Sequence, residues 1–520
     1  MSDRDEETAE APPSSIQAPA PGGSTSTLVD GLATVAASLA IAHVALVAGI
    51  ALLRARYPFE LEWMEGACAD HVARVRGAGA LYERPSLEHV PLLYAPLWFY
   101  VTAAAGWVVG PGLFAGRLVS IAASGATLVL LYRFASRETG SRAAGLVAAG
   151  LYASAFRLAG SWFDVGRVDA LFVALIVGAA YALRFAGGWR AAVIAGALTG
   201  LAFLTKQLAL VPAAALLLAA LPRPRIAAAF GASAAAVGGL ALLALDRMYD
   251  GWLWRIAFVL PSRHTPLGEP PPYWTHDLLA SFAGPCALAA ALLVGLALAR
   301  RGRALWFHAA WLAGMLVAGW LGRRHPGGWD NVLLPAFAAL ALAGGTALGH
   351  ALAFARDTLA SARAERAPQG RAALAVLAAL VCVASLARRL HDPRASLPTA
   401  ADRAANERVD AAIRAADGEV LVLSHGGWSD RHDRGRFLHL IAWLDLWRAD
   451  PELFDEVTAE LKSALDAGRF AALVLDSPYL VRHVGVAPRY APARELQEDD
   501  AGWPITGRRT RPETLYLPSK

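Results

Sequence analysis

Four stretches of the chain bring together residue types that could do chemistry. In Pro58-Phe-Glu-Leu-Glu-Trp-Met-Glu-Gly66, followed by Asp70 and His71, a helix would place Glu62 and Glu65 one turn apart on a shared face. Two carboxylates so placed repel, so at least one gains from a cation, a metal or a shared proton. The pair suits a general base or a divalent-cation ligand set; the plain alternative is an interfacial helix whose acids face water. Trp162-Phe-Asp-Val-Gly-Arg-Val-Asp169 sets Asp164, Arg167 and Asp169 between two apolar runs, either lining a water-filled cavity or forming an ion pair that ends a span. Leu204-Thr-Lys-Gln207 joins two further runs and carries Lys206, one of only three lysines, with Lys462 and Lys520. A compact ammonium there suits a phosphate, and a snorkelling side chain is the alternative. Arg323-Arg-His-Pro-Gly-Gly-Trp-Asp-Asn331 offers bidentate donors at Arg323 and Arg324 beside glycines that let a ligand approach the backbone. The segment 247–276 adds His264 and Tyr273 in a long, proline-rich and aromatic loop that reads as a lid over a sugar or lipid.

The elements that must position these residues are membrane helices. Of 520 residues, 56% are hydrophobic and only 18% charged, whereas a soluble enzyme runs near 25% charged. Apolar stretches near 28–53, 91–109, 113–132, 143–160, 168–186, 190–205, 207–221, 226–246, 277–299, 304–321, 331–355 and 371–390 approach the length that crosses roughly 30 Å of hydrocarbon. The expectation is an all-α polytopic membrane protein with about 11–13 transmembrane helices and a small C-terminal α/β domain. Residues 1–27 read as a disordered cytoplasmic tail, 28–390 as the membrane domain with outer loops 54–90, 161–168, 247–276 and 322–330, and 391–520 as the outer domain. The net charge of +5 sits in arginine clusters between spans, which carry topology and not nucleic-acid binding. With those clusters in the cytoplasm, 54–90 lies outside only if 91–109 does not fully cross; otherwise the N-terminus is outside.

In the tail, Gly418–His425 and Phe470–Asp476 have strand character. Asp450-Pro451 opens a helix with Leu453, Val457, Leu461 and Leu465 on one face, so a parallel βαβ unit is expected. His425, His432 and His439 with Asp430 and Asp433 fit no metal spacing and read as a loop after a strand. Cys68, Cys286 and Cys382 are too far apart for a disulfide framework or a zinc site.

Taken in order, Glu62, Glu65 and Gly66, then Gly79-Ala-Leu-Tyr82, Pro91-Leu-Leu-Tyr-Ala-Pro-Leu-Trp-Phe-Tyr100, Arg117-Leu118, the acidic loop 164–169, Gly200–Gln207 and Arg324–Pro335 resemble the GT-C superfamily: bacterial membrane glycosyltransferases related to protein O-mannosyltransferases and aminoarabinose transferases. The resemblance covers about residues 28–355. It implies inverting transfer of a sugar from a polyprenyl-phosphate donor to a lipid, glycan or protein acceptor on the outer face of a bacterial inner membrane. It implies Glu62 or Glu65 as the base, Asp164 and Asp169 in the second acidic position assisting the acceptor or a metal such as Mg or Mn, and Lys206, Arg323, Arg324 and Arg117 on the donor phosphate. Tyr94, Asn331, His264 and Tyr273 would contact substrate. The chain departs from the family in its Glu-Trp-Met-Glu spacing and in Tyr94-Ala-Pro96, where the aminoarabinose group has a lysine before a double proline. The competing class is a polytopic transporter or flippase of a lipid-linked or anionic substrate, which would show inverted repeats; a non-catalytic scaffold would tolerate loss of both Glu62 and Glu65.

Overall fold

In the computed structural model, which describes residues 23–267, 272–360, 368–477 and 489–519, the apolar stretches all become helices. Of the tail expected at 1–27, residues 1–22 lie outside the described residues, and 23–27 instead begin the helix Gly23–Ala55. Five helices are long and apolar enough to cross a membrane: Thr27–Ala55, Leu113–Thr139, Pro224–Met248, Gly302–Arg324 and Asp330–Arg356. Tyr273–Ala280 and Ala283–Leu298 join them as a pair bent by 93°, and Leu97–Val109, Trp189–Thr205, Gln207–Ala220 and Arg371–Ala387 are shorter apolar helices. The Asp330–Arg356 helix is the axis of the bundle, enclosed along its whole apolar window. Lipid tails are as apolar as leucine, so helices gain from packing only where small residues let them approach. At Gly345 a Cβ would come within 2.5 Å of the Ala144 carbonyl, so this crossing requires glycine.

The arginine-rich turns share one end of the bundle. Arg184 bonds Glu138, Arg223 donates to the carbonyls of Leu183 and Ala186, His308 lies 3.6 Å from Glu138, and Arg356 bonds Asp30. The acidic stretch 54–90, the turn 155–167, Lys206 and the C-terminal unit share the other end. The 13-residue helix Leu97–Val109, about 20 Å long, is shorter than the five spanning-length helices. Tyr94 just before it meets Arg167, and Arg117, one turn into the next helix, meets Glu65, so the chain leaves from and returns to the same end.

The C-terminal unit contains the expected parallel pair, β1 (Val420–Val422) with β2 (Ala472–Leu475), linked through the helices Leu440–Ala449 and Pro451–Asp466. Two strands that lacked a clear apolar alternation complete the sheet, β3 (Tyr490–Glu495) and β4 (Thr514–Pro518), in the order β1-β2-β4-β3 with antiparallel pairing of β4 to both neighbours. The unit is not a detached domain. Leu421, Leu473 and Trp443 share a core with Trp63, Leu81 and Tyr82 of the acidic stretch, and Phe59 stacks on Trp428 with ring centroids 5.2 Å apart.

Candidate active site

The acidic stretch is not one helix across Glu62 and Glu65. The helix Glu65–Arg76 begins at Glu65, and Glu62 lies in the preceding turn, bridged to Thr506 of the C-terminal unit. The two carboxylates therefore point to different partners. Glu65 is saturated. It accepts from Arg117 Nε at 2.8 Å and Nη2 at 2.6 Å, from the Leu61 amide at 2.9 Å and from the Gly166 amide at 2.8 Å. Burial alone would raise its pKa, but Arg117 and these amides outweigh burial and hold it below the ordinary carboxylate value. Arg117 in turn spends its remaining donors on the carbonyls of Arg54, Tyr57 and Phe59. No N–H is left for a donor phosphate, so the expected phosphate role of Arg117 does not fit its surroundings.

Glu62 is different. Oε2 accepts from Arg167 Nη1 at 2.5 Å, while Oε1 is buried with no hydrogen-bond partner among the described residues. Burial pushes its pKa up to about 7 even against the Arg167 guanidinium. Gly507, at φ +79°, lets the C-terminal chain pass over this carboxylate, since a Cβ there would stand 2.6 Å from Oε1.

Glu62 lines a cavity of about 320 Å³ together with Tyr94, Arg167, Lys206, His325 and Asn331, within the size range of ligand sites. Lys206 sits in extended backbone where the Trp189–Thr205 helix stops, and its Nζ bonds Asp169 Oδ1 at 2.5 Å. Asn331 Nδ2 reaches the same oxygen at 3.1 Å, and Asp169 Oδ2 is buried and unpartnered among the described residues. Arg167 also donates to the Tyr94 hydroxyl at 2.5 Å. Most of the remaining wall is apolar, including Leu92, Leu93, Leu208, Phe258 and Val332.

Other expected site residues stand apart from the cavity wall. Asp164 is paired to Arg54, whose Nε donates at 2.5 Å, as a buried lock between helices. Arg323 is clamped between Asp277 at 2.7 Å and Asp330 at 2.6 Å. Arg324 lies over the Trp320 ring, 5.4 Å from its centroid, and the Tyr273 hydroxyl donates to the Leu316 carbonyl at 2.7 Å. His264 holds the cavity residue His325 at 3.1 Å. The segment drawn as a lid is helical over 252–263 and packed, with Ala257, Phe258 and Pro261 forming cavity wall. Among the described residues, no three His, Cys, Asp or Glu side chains are placed to hold a metal ion. Glu62 and Asp169 already have cationic partners, so the residues present do not fit the expected Mg or Mn.

Sequence reasoning passed over three contributors. Asp445 and Ile441 of the C-terminal unit line the cavity, and the signal for Asp445 was a lone carboxylate within the apolar run Leu440–Trp447. Glu60 and His425 were the third: His425 Nδ1 meets Glu60 Oε2 at 2.6 Å and Nε2 meets Asp476 Oδ2 at 3.2 Å. Burial alone would lower the His425 pKa, but the two carboxylates raise it to about 10.

Comparison with known proteins finds a family over part of the chain and a similar fold over most of it. Residues 91–246 match the model of the dolichyl-phosphate-mannose-protein mannosyltransferase family. No curated protein matches in sequence. In fold, the chain is similar to the crystal structure of ArnT from Cupriavidus metallidurans bound to undecaprenyl phosphate, at 13% identity and a TM-score of 0.57, covering 91% of this chain and 97% of that one. The apo state of the same ArnT matches this chain with a TM-score of 0.56 at 13% identity, covering 92% and 97% of the two chains. The Archaeoglobus fulgidus oligosaccharyltransferase tethered to an acceptor peptide gives a TM-score of 0.49 at 13% identity, covering 84% of this chain and 69% of the other.

Proposed function

We propose that the protein transfers a sugar from a polyprenyl-phosphate-linked donor to an acceptor hydroxyl, with inversion, at the outer face of a bacterial inner membrane. The observation that carries this reading is one buried carboxylate, Glu62, with an unpartnered oxygen, in the same cavity as Lys206. A carboxylate whose pKa is about 7 is matched to proton abstraction near neutrality. Glu62 takes the acceptor hydroxyl proton, the acceptor oxygen bonds to the anomeric carbon, and the bond from that carbon to the phosphate oxygen breaks. Negative charge then grows on the phosphate, and the Lys206 ammonium, held in place by Asp169, stabilises it. The apolar wall suits the isoprenoid next to the phosphate, and the ArnT of similar fold was crystallised with undecaprenyl phosphate. Glu65, Arg117, Asp164 and Arg323 are positioning residues in this scheme. The arginine-rich turns at the opposite end support a cytoplasmic assignment for that end and an outer site. The ionisable residues of the cavity lie at one end of the bundle and not at mid-span, which favours a transferase over a transporter.

Phosphorus NMR of the protein in nanodiscs with polyprenyl-phospho-sugar donors and a mixture of hydroxyl acceptors tests the reading. Conversion of the phosphodiester signal to a phosphomonoester is expected; a donor that stays intact across the panel would count against it.

A further inference from the structure

A second cavity, of about 490 Å³, lies within the C-terminal unit. Its wall is aromatic. Trp443 and Phe454 stack with ring centroids 5.1 Å apart, and Trp447, one turn on, is 58% exposed. Two buried polar side chains line the same cavity. Asp476, 6% exposed, accepts on Oδ2 from His425 and from the Thr510 hydroxyl, whereas Oδ1 is buried and unpartnered among the described residues; the Ser424 hydroxyl is likewise buried and unpartnered. Three arginines border the cavity. Arg509 pairs with Asp500 and Arg511 with Glu513, but Arg508 is exposed and lies over the Trp63 ring, with no ion pair among the described residues.

Flat apolar faces beside a carboxylate with a free oxygen match a pyranose, which presents C–H groups on its faces and hydroxyl donors at its edge. An apolar peptide segment would leave Asp476 Oδ1 and Ser424 Oγ unsatisfied. We propose that this cavity is a saccharide-binding site, in which Trp447 stacks on a pyranose, Asp476 accepts its hydroxyls and Arg508 pairs with an acidic substituent. Its place in the fold makes it the acceptor's docking site, an assignment that rests on the transferase reading. The helix Leu440–Ala449 separates the two cavities: Ile441 and Asp445 face the first, while Leu440, Trp443, Leu444 and Trp447 face the second, the two faces being set by helical spacing. The segment 506–511, between β3 and β4, does the same. Thr506 bridges Glu62 and Gly507 abuts its carboxylate, whereas Arg508, Arg509, Thr510 and Arg511 line the saccharide cavity.

The test uses the full chain in nanodiscs, titrated calorimetrically without donor. The probes are hyaluronan hexasaccharide, which carries uronates, neutral chitohexaose, and hexaglutamate as an acidic peptide. Trp447→Ala and Arg508→Ala are the variants, both at exposed positions and each checked for an unchanged Tm. Both saccharides are expected to bind. Trp447→Ala is expected to weaken both at least about 10-fold, the loss typical of a stacked tryptophan at an interface centre, and Arg508→Ala to weaken the hyaluronan fragment alone. Absence of saccharide binding, hexaglutamate binding as tight as either saccharide, or affinity unmoved by Trp447→Ala would overturn the site. Because no donor is present, the two readings fail separately. Saccharide binding without donor cleavage refutes the transferase, and donor cleavage without saccharide binding refutes this site.

Discussion

Replacing Arg167 by Gln removes the guanidinium that bonds Glu62 Oε2 at 2.5 Å, in a pair whose side chains are 3% and 1% exposed. Two unit charges about 4 Å apart attract by about 4 kcal/mol at the effective dielectric of protein sites, and one pKa unit corresponds to about 1.4 kcal/mol. Loss of the pair therefore raises the Glu62 pKa by up to about 3 units. Water entering the vacated space and the nearby Lys206 reduce this, so a rise of at least about 1 unit is expected. The reactive form of Glu62 is the carboxylate, so activity rises with pH through its pKa. The rising limb of kcat/KM for donor cleavage should lie near pH 7 in the wild type and near 8 or above in Arg167→Gln, while Arg167→Lys, which keeps the charge, should leave it near 7. An unshifted limb in a folded Arg167→Gln protein would refute the assignment of Glu62 as the base.

Glu65→Gln should act on stability, because it strands the Arg117 guanidinium in a buried site; a loss of about 3–5 kcal/mol is expected, read as a fall in Tm that exceeds the fall for Glu62→Gln. Lys206→Met should lower kcat for donor cleavage about 10²–10³-fold, with binding of a soluble acceptor measured by calorimetry unchanged. The His425 link between Glu60 and Asp476 has a folded pKa of about 10 against 6.5 for an ordinary histidine. Its contribution is complete below about pH 6.5 and is lost as pH rises through about 10. The wild-type Tm should therefore fall more steeply over that window than the Tm of His425→Gln, measured by differential scanning fluorimetry.

The helices were legible because their apolar runs are long and their breaks are marked by charge. The site was legible in residue types more than in roles. Glu62 and Glu65 look alike at a spacing of three. What separates them is long-range: Arg117 reaches Glu65 across 52 positions and Arg167 reaches Glu62 across 105. The same holds for Arg323, whose adjacent arginine and glycines suggest a phosphate site until Asp277 and Asp330 are found on it. Within the segment read as a lid, 252–263 is helical and not a loop: proline and aromatic content signals a loop, whereas Leu253, Ile256, Ala257 and Leu260 bury a helical face against the core that holds Trp63 and Tyr82. The strands β3 and β4 were missed because they are short and their burial does not alternate cleanly, β3 burying only Tyr490.

The central claim is that Glu62, and not Glu65, removes the acceptor proton as the sugar leaves a lipid phosphate. The most direct measurement is release of free polyprenyl phosphate from labelled polyprenyl-phospho-sugars in proteoliposomes, comparing wild type, Glu62→Gln and Glu65→Gln, with and without a chelator. The account predicts release by the wild type that the chelator leaves unchanged, loss of at least about 10²-fold in Glu62→Gln, and activity in whatever fraction of Glu65→Gln remains folded. Release that survives Glu62→Gln, or labelled lipid that changes leaflet without being cleaved, would contradict it.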